Sequence, residues 1–229
     1  MKERAKGKAI FIDGASAHVT KSALGIGTYN FHGLYDVLRN EVGTCRRIVG
    51  IPIVTVGPDA YERGYGLVKD LAGAGFNVVP ARSDNGEDDE FIKTRIRGLD
   101  PREVEEIVIF TSDKDFIPVL REKANVGVRI YWVSTKHHEP GLNRHCLSQD
   151  VIQLCMTTPG FSFVEIAEFK GAITGKRPWS TATATSYKKE DVTIVTIRLQ
   201  NMYKEEHGRL IRSIQSLTSE FAGLTFIVE

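Results

Sequence analysis

Residues 105–120, EEIVIFTSDKDFIPVL, decide the reading of this chain. An apolar run, IVIF (107–110), is rich in β-branched side chains and has the length of a buried strand. It breaks into Thr111, Ser112, Asp113, Lys114 and Asp115, then turns apolar again. Pro118 is tolerated in the first turn of a helix but not deeper, so the helix starts near Asp115 with Asp113 still in the turn. A strand thus hands over to a helix through two carboxylates one residue apart.

The same alternation extends outward in both directions. KAIFID (8–13), IVGIPIVTV (48–56), NVVPA (77–81) and GVRIYWV (127–133) read as further strands. Between them, Phe31, Leu34, Tyr35, Leu38 and Val42 share one helical face. Residues 60–75 read as a helix ending in glycine, and 88–99 as a short helix with Ile92, Ile96 and Leu99 on one side. Alternating strands and helices over about 135 residues predict an α/β fold with a mainly parallel sheet covered on both faces. LSQDVIQL (147–154) reads as a closing helix, and 174–190 as a linker or an ordered excursion. DVTIVTIRL (191–199), an amphipathic helix with Leu210, Ile211, Ile214, Leu217 and Phe221, and LTFIV make a small β-α-β unit. A unit that small is marginal alone, so it packs on the main domain or on a second copy of itself.

Composition is that of an ordinary globular chain of 229 residues with net charge +1, so global charge selects no partner. Cys45, Cys146 and Cys155 are odd in number and widely spaced, and with His145 they lack the paired spacing of a zinc site. The apolar run after the basic N-terminus is too short for a signal peptide, and no stretch approaches a membrane span. A reducing, cytoplasmic location is expected.

In an open parallel sheet, ligands gather beyond the carboxyl ends of the strands. Asp13 ends the first strand, Asp113 and Asp115 follow the fourth, and Asp88 and Asp89 open the helix before it. Each alone reads as a helix cap or a turn former. Five carboxylates crowded at one rim would repel, and a divalent cation relieves that repulsion. Mg²⁺ and Mn²⁺ prefer such hard oxygen ligands.

IDGASAH (12–18), EDDEFI (87–92) and FTSDKDFIPVL (110–120) resemble the three acidic motifs of the NYN domains, PIN-like metal-dependent ribonucleases. The second motif is also similar to the Regnase-type branch, and RHCLSQDVIQL (144–154) to the closing helix of NYN domains. The resemblance implies a Rossmann-like PIN/NYN three-layer fold over residues 1–158, with 159–190 as helix and linker and 191–229 as the small C-terminal unit. It also implies Mg²⁺- or Mn²⁺-dependent cleavage of RNA. Asp13, Asp89 and Asp113 would be the core metal ligands, with Asp115 and Asp88 as supporting carboxylates. Ser112 would position a ligand or phosphate. Two positions depart from the family pattern: Ser16 stands where Asn is frequent, and Lys93 where many members carry a further Asp.

Phosphate contacts are open to Lys93, Arg95, Arg97, Lys114, Arg82 and residues 136–138, with a solvated helix face as the plain alternative. Ser16 and His18 flank the first motif and are candidate substrate contacts, with a polar loop residue as the plain alternative for His18. Tyr29, Phe31 and Trp132 are candidates for stacking on bases, with core packing as the plain alternative. Lys176, Arg177 and Trp179 are candidate RNA contacts in the linker. A haloacid-dehalogenase-type phosphatase would want an Asp at Ala15, and a nucleotide-binding Rossmann domain would want a glycine-rich first turn; neither is present. Two readings stand: a metal-dependent endoribonuclease, and a PIN-like module that binds RNA or protein without cutting. A homodimer through the C-terminal unit is expected with either.

Overall fold

The computed structural model describes residues 5–63, 65–80, 87–137, 147–175, 183–189, 192–198 and 225–227. At 59, 60, 63, 65, 87, 88 and throughout the second unit it describes the backbone alone. The chain divides into two compact units, Met1–Gly175 and Lys176–Glu229.

The first unit is built on six strands: β1 (Gly7–Ile12), β2 (Ile53–Val56), β3 (Asn77–Pro80), β4 (Val104–Phe110), β5 (Arg129–Ser134) and β6 (Phe161–Glu165). Their order is β3-β2-β1-β4-β5-β6 and every pairing is parallel. Parallel neighbours need crossovers, and helices supply them. α1 (Gly14–Ala23), α2 (Phe31–Asp36), α3 (Pro58–Arg63) and α4 (Tyr65–Gly73) lie between the first three strands in sequence. α5 (Glu87–Arg97), α6 (Ile117–Asn125) and α7 (Gln149–Thr157) serve the other three, and α8 (Lys170–Ile173) closes the unit.

Side chains alternate across the strands and feed two cores. Ile10, Ile12, Val54, Val56 and Phe110 pack with Ala17, Leu34 and Leu71 on one face. Ala9, Phe11, Ile109 and Trp132 pack with Ile92, Ile96, Val119, Leu120, Val151 and Leu154 on the other. The result is the Rossmann-like three-layer α/β fold with helices on both faces. Removing each such Ile or Phe from water contributes about 1.5–3 kcal/mol.

Three elements differ from expectation. Residues 14–23 form α1, although GASAHVTKSA carries no apolar stripe; its buried face is made of Ser16, Ala17 and Thr20, small enough for close packing. FSFVE (161–165) joins the main sheet by pairing with β5, so the first unit ends at Gly175 rather than at 158. Residues 183–189 of the expected linker form a strand. In the second unit β7 (Thr183–Lys189) runs antiparallel to β8 (Val192–Arg198), which pairs in parallel with β9 (Thr225–Ile227). The expected helix at 210–221 lies outside the described residues.

Candidate functional site

The strand order reverses between β1 and β4. In open α/β sheets such a reversal is where ligands generally bind, outside the carboxyl ends of the strands. Asp13 and the segment 111–115 emerge at this point.

Asp13 is buried and caps α1. Its Oδ1 accepts the backbone N–H groups of Ala15 (3.0 Å) and Ser16 (3.2 Å). Its Oδ2 accepts the hydroxyls of Ser16 and Thr111, the latter at 2.9 Å. A carboxylate has about four lone-pair positions, and these four donors occupy them. The Ser16 hydroxyl in turn accepts the Ser112 N–H at 2.9 Å. Ser16, expected as a substrate contact, is buried and ties the first acidic motif to the third.

Thr111 is the hub of the rim and was not singled out from the sequence. It is fully buried; its hydroxyl donates to Asp13 and accepts the Asp113 N–H at 3.1 Å. Its carbonyl accepts the Trp132 indole N–H at 2.7 Å. Trp132 is therefore a core residue that fixes the exit of β4, not a platform for bases. Tyr29 likewise is buried, donating its hydroxyl to the Ala17 carbonyl at 2.8 Å, and Phe31 packs at the edge of the first core.

Asp113 is half-buried and caps the 3₁₀ turn Lys114–Phe116, its Oδ1 accepting the Asp115 N–H at 2.9 Å. Among the described residues, Asp113 Oδ2 and the exposed carboxylate of Asp115 have no hydrogen-bond or ion-pair partner. Ser112 shares a hydrogen bond with Ser134 at 2.9 Å, which holds the turn to the end of β5. The helix begins at Ile117, with Pro118 in its first turn, as the sequence predicts.

Helix α5 reaches the same turn through Lys93, whose ammonium stands 5.4 Å from the centroid of the Phe116 ring. Lys93 also pairs with Glu90 at 3.1 Å. Arg95 lies on the exposed side over Phe91, and Arg97 reaches Glu90 at 3.8 Å. Asp89 is half-buried in the first turn of α5; the side chain of Asp88 lies outside the described residues. Lys114 is exposed and pairs with Asp150 at 3.4 Å. Lys136 stacks over Phe163, and His18 and His137 are exposed. Arg82, His138, His145, Cys146, Lys176, Arg177 and Trp179 lie outside the described residues.

The donor chemistry at Asp113 and Asp115 fits a hard divalent cation, because open carboxylate oxygens are what Mg²⁺ and Mn²⁺ take. Asp13 fits only if its two hydroxyl donors rotate away. Among the described residues, no three His, Cys, Asp or Glu side chains form a group able to hold a metal ion. Among them too, no helix is long and apolar enough to cross a membrane.

No protein-family model matches the chain, and no curated protein matches it. Among solved structures, the crystal structure of a protein of unknown function from Vibrio parahaemolyticus is similar, with a TM-score of 0.49 and 16% identity over 73% of this chain and 98% of that one.

Proposed function

We propose that the first unit is a metal-dependent endoribonuclease that hydrolyses RNA phosphodiester bonds at the carboxyl rim between β1 and β4. The observation that carries this reading is the state of the acids there: Asp113 Oδ2 and Asp115 face no cation among the described residues, yet their turn is locked to buried Asp13 through Thr111 and Ser16. Rigid placement of unpaired carboxylates at a topological switch point is costly unless a ligand uses it. Asp113 and Asp115 would hold Mg²⁺ or Mn²⁺, and Asp89 and Asp13 from the other two segments would have to shift to join them. When bound, such an ion activates water and stabilises charge on the phosphoryl oxygens. Asp13 and Thr111 keep the rim in register. Lys114, whose pair with Asp150 is exposed and weak, and Lys93 and Arg95 of α5 are the cations available to orient the RNA backbone. RNA as partner, self-association through residues 191–229 and a cytoplasmic location go with the proposal.

The test is cleavage of a labelled single-stranded RNA in Mn²⁺ or Mg²⁺, with a chelator control and with Asp113→Asn. Metal-dependent cutting that disappears in the variant supports the reading. A second reading has its own observation: Asp13 is saturated, Ser16 is consumed inside the protein, and Lys93 pairs with Glu90. These favour a catalytically weakened module that binds RNA or protein. Binding of the same RNA by folded protein without cutting in either metal would select it.

A further inference from the structure

One buried polar row crosses the carboxyl end of the sheet. Ile12 pairs with Val54 and with Phe110, and Phe110 pairs with Val133. The next residues along these strands are Asp13, Thr55, Thr111 and Ser134. All four are buried. Neighbouring strands lie about 4.8 Å apart, so Thr55 stands beside Asp13 as Thr111 does on the other side. Val54 and Val56 belong to the first core. Alternation therefore turns Thr55 toward the opposite face, that of Phe11, Trp132 and α5.

Three members of the row are engaged. Asp13 and Thr111 bond each other, and Ser134 holds Ser112. Thr55 is not: its hydroxyl is buried and has no hydrogen-bond partner among the described residues. The only other side chain in that state among the described residues is Thr20, on α1 and outside the row. The start of α1 presses on the Thr55 backbone so closely that a Cβ at Gly14 would lie 2.0 Å from the Thr55 carbonyl oxygen. The strand is thus held in place while its hydroxyl is left unspent. Buried hydroxyls without partners are rare, because each loses its bonds to water on folding.

We propose that Thr55 is a further binding residue of the acidic rim, its hydroxyl bonding a non-protein oxygen beside Asp13. That oxygen is either an enclosed water or, resting on the ribonuclease reading, a phosphate oxygen of RNA. Valine has the same shape without the hydroxyl, so Thr55→Val isolates the bond.

The experiment compares wild type and Thr55→Val in two measurements, both in chelator so that no RNA is cut. One is thermal melting; the other is binding of a labelled oligouridine. An idle hydroxyl predicts a rise in Tm of about 2 °C or more, since valine removes an unsatisfied polar group. An enclosed water as the partner predicts a smaller rise or a fall, whereas a phosphate oxygen leaves the hydroxyl idle in RNA-free protein and gives the full rise. A phosphate oxygen as the partner also weakens oligouridine binding by about fivefold or more, whereas an enclosed water leaves binding unchanged. A rise of about 2 °C or more with unchanged binding overturns the proposal. Wild-type protein that binds no oligouridine in chelator removes the metal-free phosphate contact, and melting alone then decides for or against the water; cleavage in Mn²⁺ tests the ribonuclease reading separately.

Discussion

The two ends of the main sheet both carry buried ionisable groups, and they treat them in opposite ways. At the amino end, Lys8 of β1 and Glu106 of β4 are register partners with no exposed surface. The Lys8 ammonium donates to the carbonyls of Leu38, Arg39 and Val42, where the π-helical turn Val37–Glu41 ends. Glu106 accepts the N–H and hydroxyl of Thr44 and the N–H of Cys45, and pairs with Arg129 at 2.9 Å. Charge there is neutralised and every group is engaged. At the carboxyl end, Asp13 and Asp113 are fixed by neutral donors, and no cation among the described residues pairs with Asp113 or Asp115. Paired charge is architecture; on our proposal, fixed charge of one sign with no partner among the described residues is a place for a ligand.

This contrast is easiest to break at the amino end. Glu106→Ala leaves Lys8 buried without its carboxylate partner and should cost about 3–5 kcal/mol in denaturant unfolding. An equally large loss at the carboxyl end, from Asp113→Asn, would erase the distinction. Asn still caps the 3₁₀ turn, so that variant should stay within about 0.5 kcal/mol of wild type while losing RNA cleavage by about 100-fold or more.

Trp132→Phe lies between the two extremes. It keeps most of the core volume but strips the Thr111 carbonyl of its donor, at a cost of about 1–3 kcal/mol. If Trp132 only packs, the cost stays in unfolding; because it fixes the exit of β4, cleavage should fall more than stability explains.

The pH dependence of stability sharpens the same point. Burial acts to raise the Glu106 pKa, but hydrogen bonds from Thr44 and Cys45 and the charge of Arg129 outweigh it and hold the carboxyl below its ordinary 4.5. A group depressed in the folded state contributes stability above its unfolded pKa and loses it as pH falls through the folded value. Wild type should therefore weaken on acidification below pH 4.5, and Glu106→Gln should show a shallower acid slope in urea titrations. The smallest effect belongs to the exposed pair Lys114–Asp150: Lys114→Ala should change stability by about 0.5 kcal/mol or less. A clear drop in RNA affinity in that variant would separate its binding role from its structural one.

The layered architecture was legible because β-branched runs and helical stripes alternate with little ambiguity. Helix α1 was not, because its buried face is small residues and its start depends on Asp13 acting as a cap. β6 was missed because FSFVE is short and gains strand character by pairing with an existing edge. At the site, the apolar pattern was enough to put Asp13 just past the end of β1, and Asp113 and Asp115 just past the end of β4. The partners of those acids were not readable. Thr111, Ser134 and Thr55 are ordinary strand-end hydroxyls in sequence, and only the register of four strands makes them one row. The buried Lys8–Glu106 pair was overlooked for a related reason: one charged residue at the start of a strand looks solvated until its rung partner is known.

The most direct test of the unpaired rim is melting of wild type and the double variant Asp113→Asn/Asp115→Asn, each with Mn²⁺ and with chelator. A ligand that binds the folded state alone raises Tm, by an amount that grows with the logarithm of its concentration over Kd. The account predicts that Mn²⁺ raises the Tm of wild type and not of the double variant, which in chelator melts no lower than wild type. An equal Mn²⁺ response in both proteins, or a double variant that unfolds well below wild type in chelator, would contradict it.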